Sequence, residues 1–250
     1  MKIIQKSEYK IAFVEEIDES LANAIRRSAL EIPILAIDEV EFYKNDSVLY
    51  DEVLALRLGL IPLKTEKNME LREDCSCKGK GCSKCSAQLK LKAKSSSVYA
   101  KDLKGKAEVI FEEIPITKLD ENQELELVAT ARLGKGVEHT KFSPGLVYYR
   151  NVAEIEVGKD CEGCKKCLEA CPLGILKFEK NKPELEDKYK CDLCEACVEE
   201  CKKHGKGAIK ILPGKELIFF IESWGQISSK EILESAVKAL KDNLKIVEKA

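Results

Sequence analysis

Eight of the twelve cysteines in this chain fall into two runs of identical spacing. Cys161-x2-Cys164-x2-Cys167-x3-Cys171-Pro172 is repeated thirty residues later as Cys191-x2-Cys194-x2-Cys197-x3-Cys201. Three thiolates at two-residue gaps wrap one iron–sulfur cubane in a tight loop. The fourth, three residues further on, opens a helix that carries its sulfur across to a second cluster. The spacing predicts two [4Fe-4S] clusters with crossed ligand sets. Cys161, Cys164, Cys167 and Cys201 hold one, and Cys171, Cys191, Cys194 and Cys197 hold the other. The alternatives, a disulfide framework or a pair of zinc knuckles, require no such crossed repeat. The second run ends in Cys201-Lys202-Lys203-His204 where the first ends in Cys171-Pro172. Proline is not needed for ligation, and His204 reads as a solvated loop residue.

A two-cluster module accounts for residues 158–212 and leaves most of the 250 residues unexplained. At about 100–200 residues per domain, two or three domains are expected. Hydrophobic residues make up 44% of the chain, enough for real cores. No run reaches the roughly 18 apolar residues of a membrane helix, and the start Met1-Lys2-Ile3-Ile4-Gln5-Lys6 lacks a signal-peptide core. The expectation is a soluble cytoplasmic protein whose cysteines serve as metal ligands. The formal charge is −2. Two clusters and one zinc, each with four thiolates, take it to about −8. That balance argues against direct nucleic-acid binding; if the chain works near DNA or RNA, it does so through partners.

The start of the chain reads as strand, helix, strand. Asp18 is a suitable N-cap for a helix over residues 19–30, with Leu21, Ile25, Ser28, Ala29 and Ile32 on one face and Asn23, Arg26 and Arg27 towards the other. Residues 34–43 are strand-like, and a short helix runs from an Asp51 cap to Leu58, ending at Gly59. Strands are expected over 88–93, 107–111, 124–132 and 147–157. The cluster module contributes short strands at 175–178 and 208–211. Beyond it, residues 217–222 form a strand and Ser228-Ser229-Lys230-Glu231 a capping box. The helix that follows, about twenty residues long, carries Leu233, Val237, Leu240, Leu244 and Val247 at alternating spacings of four and three. This narrow seam suits packing along another helix. A plain amphipathic helix on its own core fits the same pattern.

The remaining cysteines, Cys75, Cys77, Cys82 and Cys85, form a short loop suited to a tetrahedral zinc site. Lys78, Lys80 and Lys84 make it basic, but no aromatic residue lies within it to stack a base. No nucleophile elbow, phosphate-cradling loop or dinucleotide fingerprint is present, and the two histidines, His139 and His204, are far apart. No catalytic residue is expected.

Three stretches near the start are more specific: Asn23-Ala24-Ile25-Arg26-Arg27-Ser28-Ala29-Leu30-Glu31-Ile32-Pro33, Ala36-Ile37-Asp38-Glu39-Val40 and Asp51-Glu52-Val53-Leu54-Ala55-Leu56-Arg57-Leu58-Gly59-Leu60-Ile61-Pro62-Leu63. With Glu138-His139-Thr140-Lys141-Phe142-Ser143-Pro144 and Ile221-Glu222-Ser223-Trp224-Gly225, they resemble the D-type subunits of archaeal DNA-directed RNA polymerase. That family is related to the third-largest subunit of eukaryotic RNA polymerase II and to the amino-terminal domain of the bacterial α subunit. The resemblance covers essentially the whole chain, and some members carry a ferredoxin-like insertion.

The resemblance implies an α+β architecture. Residues 1–42 and 213–250 would form a discontinuous α/β dimerisation domain. Residues 43–157 would form an inserted, mostly β domain containing the cysteine loop 75–85, and 158–212 an inserted ferredoxin-like 2[4Fe-4S] domain. It also implies a heterodimer with subunit L through the seam on the last helix. Asn23, Arg26 and Arg27 would face a large catalytic subunit, and the small subunits N and P would dock nearby. The function so implied is that of a non-catalytic assembly subunit. A ferredoxin-type electron-transfer subunit of an oxidoreductase complex is the rival, and a zinc-dependent nucleic-acid binder a weaker third.

Overall fold

Local signals set most of the element boundaries. β1 (Lys2–Lys6) and β2 (Lys10–Glu15) are joined at Ser7, whose N–H donates to Lys10 O at 2.7 Å. α1 (Glu19–Ser28) begins where Asp18 Oδ1 accepts the Ser20 N–H at 2.8 Å. A 3₁₀ turn (Ala29–Glu31) follows, and Pro33 precedes β3 (Ile34–Asn45). α2 (Asp51–Gly59) has Tyr50 at its N-cap, so Asp51 stands inside the first turn and not at the cap. There it accepts from Asn45 Nδ2 at 2.7 Å and complements the helix dipole. Next come β4 (Ser86–Lys94), β5 (Ser97–Tyr99), β6 (Lys104–Gly105), β7 (Pro115–Lys118), β8 (Glu124–Gly134) and β9 (Gly145–Val157). The remainder is α3 (Lys166–Ala170), β10 (Leu176–Glu179), β11 (Lys182–Leu185), α4 (Ala196–His204), β12 (Ile209–Ser223) and α5 (Ser229–Glu248).

The computed structural model describes residues 1–66 and 68–249. These divide into one unit of residues 1–6, 12–22 and 148–220, and another of 7–11, 23–147 and 221–250.

In the first unit the strands stand in the order β1-β2-β12-β9. Phe13 and Phe219 stack at 5.2 Å between centroids, and Val14, Val152 and Ile218 are buried together. The sequence suggests separate strands at 208–211 and 217–222, but β12 runs through both without a break. Gly214 makes this possible. A Cβ there would lie 2.9 Å from Val152 O, so only glycine lets β12 pass so close to β9. β9 itself, grouped by sequence with the inserted β domain, is the neighbour of β12 in this sheet. The cluster segment leaves from the end of β9 and returns at the start of β12, and its neck is closed by Gly158 N–H donating to Ala208 O at 2.7 Å. Leu21, expected on the inner face of α1, is 45% exposed, and the neighbouring Ala22 is buried in its place.

In the second unit β3, β8, β4 and β6 form an antiparallel sheet. β8 alternates strictly, with Leu125, Leu127, Ala129, Ala131 and Leu133 buried. With Leu89 and Leu91 of β4 they share a core with Leu54 and Leu58 of α2. Each fully buried leucine contributes about 1.5–3 kcal/mol. The strand expected at 107–111 is an isolated bridge between Leu63 and Val109. Pro62, which has no N–H to donate, stands opposite Ile110 and limits the ladder. α5 begins with a complete capping box: Ser228 Oγ accepts from Glu231 N at 3.2 Å, and Glu231 Oε2 accepts from Ser228 N at 3.1 Å. Its Ile232 and Ala236 are buried.

Candidate metal centres and an open helix face

The two cysteine runs fold into loops with the same backbone conformation. In the first, Gly163 and Lys165 flank Cys164 with φ of 73° and 61°; in the second, Leu193 and Glu195 flank Cys194 with φ of 62° and 58°. Leucine in the left-handed region is uncommon and persists only where its surroundings require it. Left-handed residues on both sides of the second cysteine curl each run into a tight loop, and in the second run the Cys194 N–H donates to Asp192 Oδ1 at 3.2 Å. Each loop leads into a helix whose first turn carries the third cysteine. Cys167 lies in α3 and Cys197 in α4, so the helix opens at the third ligand and not at the fourth. Cys171 follows one turn later as the C-cap of α3, extended because Pro172 disfavours a helical conformation before it. Cys201 has no proline after it and stays within α4.

These helices pack on each other and bring the cysteines into two groups. Cys171, Cys191, Cys194 and Cys197 all line one small cavity, closed by Leu173, Ile175, Leu176, Leu185 and Ile211. For the other group, a Cβ placed on Gly205 would stand 3.4 Å from Cys201 Sγ and 3.7 Å from Cys164 Sγ. Burial pushes the Cys167 thiol up to about 11, with Cys164, Cys201 and Cys161 adding to it. Burial likewise takes Cys197 to about 11, with Cys171 and Cys191 adding to it. Thiolates gathered in this way repel one another until a cation neutralises them. The four-thiol donor set fits a four-iron cluster in each group, with an apolar wall around Cys171, Cys191, Cys194 and Cys197 and apolar packing about Cys167 and Cys201. His204 ends α4, 3.4 Å from Glu200 Oε1, with its side chain 59% exposed.

The loop before β4 is built differently. The sulfurs of Cys75, Cys77, Cys82 and Cys85 all lie within 4.8 Å of one another. Cys75 and Cys82 are 3.5 Å apart, Cys77 and Cys85 3.6 Å, and Cys82 and Cys85 4.0 Å. A tetrahedral zinc with bonds of about 2.3 Å places its sulfurs about 3.8 Å apart. The spacing fits one metal ion and leaves no room for a four-iron core. Lys78, Gly79 and Gly81 make the turn with positive φ. A backbone hydrogen bond from Cys82 leads the effects that lower Cys77 to about 6. At Cys75 a backbone bond from Cys77 favours the thiolate, but burial and the neighbouring thiols outweigh it and raise the group to about 12.

The residues expected at interfaces are spread along two helices. Arg26 donates through Nε and Nη2 to Asn23 Oδ1 at 3.1 and 2.8 Å, whereas Arg27 is exposed and has no ion pair among the described residues. On α5, Leu233, Val237 and Leu240 are half-buried, while Leu244 and Val247 are 54% and 72% exposed. Two further features are visible only in the structure. Val53, Leu56 and Leu60 on and beyond α2, with Val48 and Tyr50 before it, leave a second apolar surface exposed. The Glu138–Pro144 stretch closes a charge cluster. Lys141 Nζ and Arg132 Nε each lie 2.6 Å from Asp38, and both cations sit over the buried Phe142 ring.

Two known domain families match the chain. The RNA polymerase Rpb3/RpoA insert domain spans residues 37–145, and a 4Fe-4S dicluster domain spans residues 154–202. A protein of Archaeoglobus fulgidus named DNA-directed RNA polymerase subunit Rpo3 is 36% identical over 249 residues, covering 96% of this chain and 93% of its own length. The chain belongs to the Rpo3 family of archaeal DNA-directed RNA polymerase subunits. Rpo3 of Methanothermobacter thermautotrophicus is 39% identical, covering 95% of this chain and 93% of its own. Rpo3 of Thermococcus kodakarensis is 37% identical, covering 96% and 92%. The Rpo3 relationship thus takes in both domain families. Among the described residues, no helix of this Rpo3 family member is long and apolar enough to cross a membrane.

Proposed function

We propose that the chain is a non-catalytic assembly subunit of DNA-directed RNA polymerase. It pairs with the small subunit L, and the heterodimer nucleates assembly of the large catalytic subunits. One observation carries this reading: α5 buries Ile232 and Ala236 in its own unit yet leaves Leu233, Val237, Leu240, Leu244 and Val247 open to varying degrees along its length. Covering the more exposed of these contributes up to about 1.5–3 kcal/mol each and the half-buried ones less, so a few anchors support a pair. Membership of the Rpo3 family along 96% of the chain supports the same reading. Asn23, Arg26 and Arg27 face a large subunit, the small subunits N and P dock nearby, and DNA is reached only through the complex. The chain acts in the cytoplasm and takes part in nucleotidyl transfer only as a member of the polymerase.

In this reading the two ends of the chain, with β9 beside β12, make a discontinuous dimerisation domain, into which a β domain and the ferredoxin-like domain (158–212) are inserted. Cys161, Cys164, Cys167 and Cys201 hold one [4Fe-4S] cluster. Cys171, Cys191, Cys194 and Cys197 hold the other, and Cys75, Cys77, Cys82 and Cys85 hold one zinc ion. When bound, the clusters cross-link a segment whose own apolar core is small. An electron-transfer role would explain that segment alone.

Co-expression with subunit L is the test. A heterodimer that recruits the large subunits is expected. A chain that stays folded and monomeric beside L would overturn the proposal.

A further inference from the structure

Arg150, on β9, reaches out of the sheet into the second cysteine loop. Its Nη1 donates to the carbonyl of Cys191, and its Nη2 donates to Tyr189 O at 2.8 Å. The guanidinium also lies over the Phe220 ring, 5.4 Å from the centroid, and Phe220 stacks on Tyr148 at 4.7 Å. Tyr189 is held from outside as well: Lys2 Nζ donates to its hydroxyl at 3.1 Å, and Lys2 and Lys188 lie 4.6 and 5.2 Å from its ring centroid. The stretch entering the second loop is thereby fixed to β1 and β9. Among the described residues, no corresponding arginine holds the first loop.

The charges around the two loops are unequal. Exposed Lys165 and Lys166 lie in the first loop, where Lys166 pairs with Glu169 and Lys206 with Glu162. Exposed Asp192 and Glu195 lie in the second. Side chains open to water are screened within about 8–10 Å by salt. Arg150 is half-buried, fixed by two carbonyls and an aromatic face, and adjoins the backbone of a cysteine in the second set. In that setting its charge acts through a lower effective dielectric than the exposed side chains do.

We propose that Arg150 is a positioning residue for the Cys171/Cys191/Cys194/Cys197 cluster, fixing the Cys191 backbone and favouring the more negative, reduced state of that cluster over its partner. The inference rests on the crossed ligand sets proposed above. The step concerned is transfer of one electron from a low-potential donor, taking [4Fe-4S]²⁺ to [4Fe-4S]⁺ with no bond made or broken. The cluster with its four thiolates then goes from −2 to −3. A fixed guanidinium beside it stabilises the added charge. Hydrogen bonding and net charge near the sulfurs are established means of setting such potentials.

The experiment is an anaerobic redox titration of the full-length holo-chain, followed by EPR, for the wild type, Arg150→Gln and Arg150→Lys. An iron count on the wild type tests whether two four-iron clusters load, independently of Arg150. Arg150→Gln is expected to shift the oxidised-to-reduced ratio of one cluster about tenfold towards oxidised, about 59 mV for a one-electron couple, and leave the other unmoved. A Cys164→Ser background, lacking the first cluster, identifies the signal that moves. Arg150→Lys is expected to recover most of the shift. Equal movement of both signals, movement of neither, or identical behaviour of the Lys and Gln variants would overturn the proposal. If Arg150→Gln fails to load the second cluster, loss of about half the iron with retention in Arg150→Lys supports the anchoring. Loss of all the iron in both variants refutes it.

Discussion

The Asp38 carboxylate meets the Arg132 guanidinium at 2.6 Å, at the point where β3 carries one residue more than β8. Ile37 pairs with Ala131 and Glu39 with Thr130, so Asp38 is the unpaired residue of a bulge. A bulge re-aims its side chain, and here it directs a carboxylate to both Arg132 and Lys141. Burial alone would raise Asp38, but the two cations outweigh it and hold the carboxyl below the usual range.

Asp38→Asn is therefore expected to cost about 1–3 kcal/mol, read from urea unfolding. Because the folded carboxyl is depressed, its contribution is fully present above the ordinary Asp value of about 3.9 and fades as the pH falls through the folded value. The stability difference between wild type and Asp38→Asn should shrink on acidification across that window. A difference that stayed constant would mean the ion pair carries no stability.

Removing one thiolate from the tetrahedral set should remove one metal ion and no iron. Cys82→Ser is expected to lose zinc by elemental analysis while the visible absorption of the clusters remains. Loss of iron in parallel would show that the loop is part of an iron site.

Gly205 leaves room for two sulfurs. A Cβ there would stand 2.9 Å from Cys201 O as well as beside Cys201 Sγ and Cys164 Sγ. Gly205→Ala should lower iron content and speed loss of cluster absorption in air, with the zinc content unchanged. Iron retention equal to wild type would place the sulfurs elsewhere.

Cys167→Ser and Cys197→Ser should each lose iron and loosen the segment between β9 and β12. The pair with subunit L should survive, because the seam of α5 lies in the other unit. Size-exclusion chromatography of the co-expressed pair reads both effects. Collapse of the pair along with the cluster would contradict the modular reading.

Leu244→Asp and Val247→Asp change side chains that are 54% and 72% exposed in the isolated chain. Each should leave the unfolding midpoint of the chain close to wild type, since exposed substitutions usually stay within about 0.5 kcal/mol. Each should weaken binding to L at least tenfold, about 1.4 kcal/mol. Unchanged affinity would remove α5 from the interface.

The features legible in the sequence are those written within a few residues. The ligand spacing, the capping box at Ser228 and Glu231 and the alternation of β8 each depend on contacts one turn or one pleat away. Leu21 and Ala22 differ for a non-local reason, since helical periodicity names a face but not how far the surroundings cover it. The gap expected between strands 208–211 and 217–222 is absent because Gly214 lies against β9, more than fifty residues earlier in the chain.

Sequence by itself thus determined the spacing of the cysteine runs, the tetrathiolate loop and the resemblance that named the family, because residue type and spacing are local properties. Tertiary structure alone decided that Asp38 would face Arg132 and Lys141, that β12 would run unbroken beside β9, and that Arg150 would reach the carbonyl of Cys191. Each of these joins residues tens of positions apart. Their pairing follows from strand neighbours and shared burial, which no short stretch of sequence encodes.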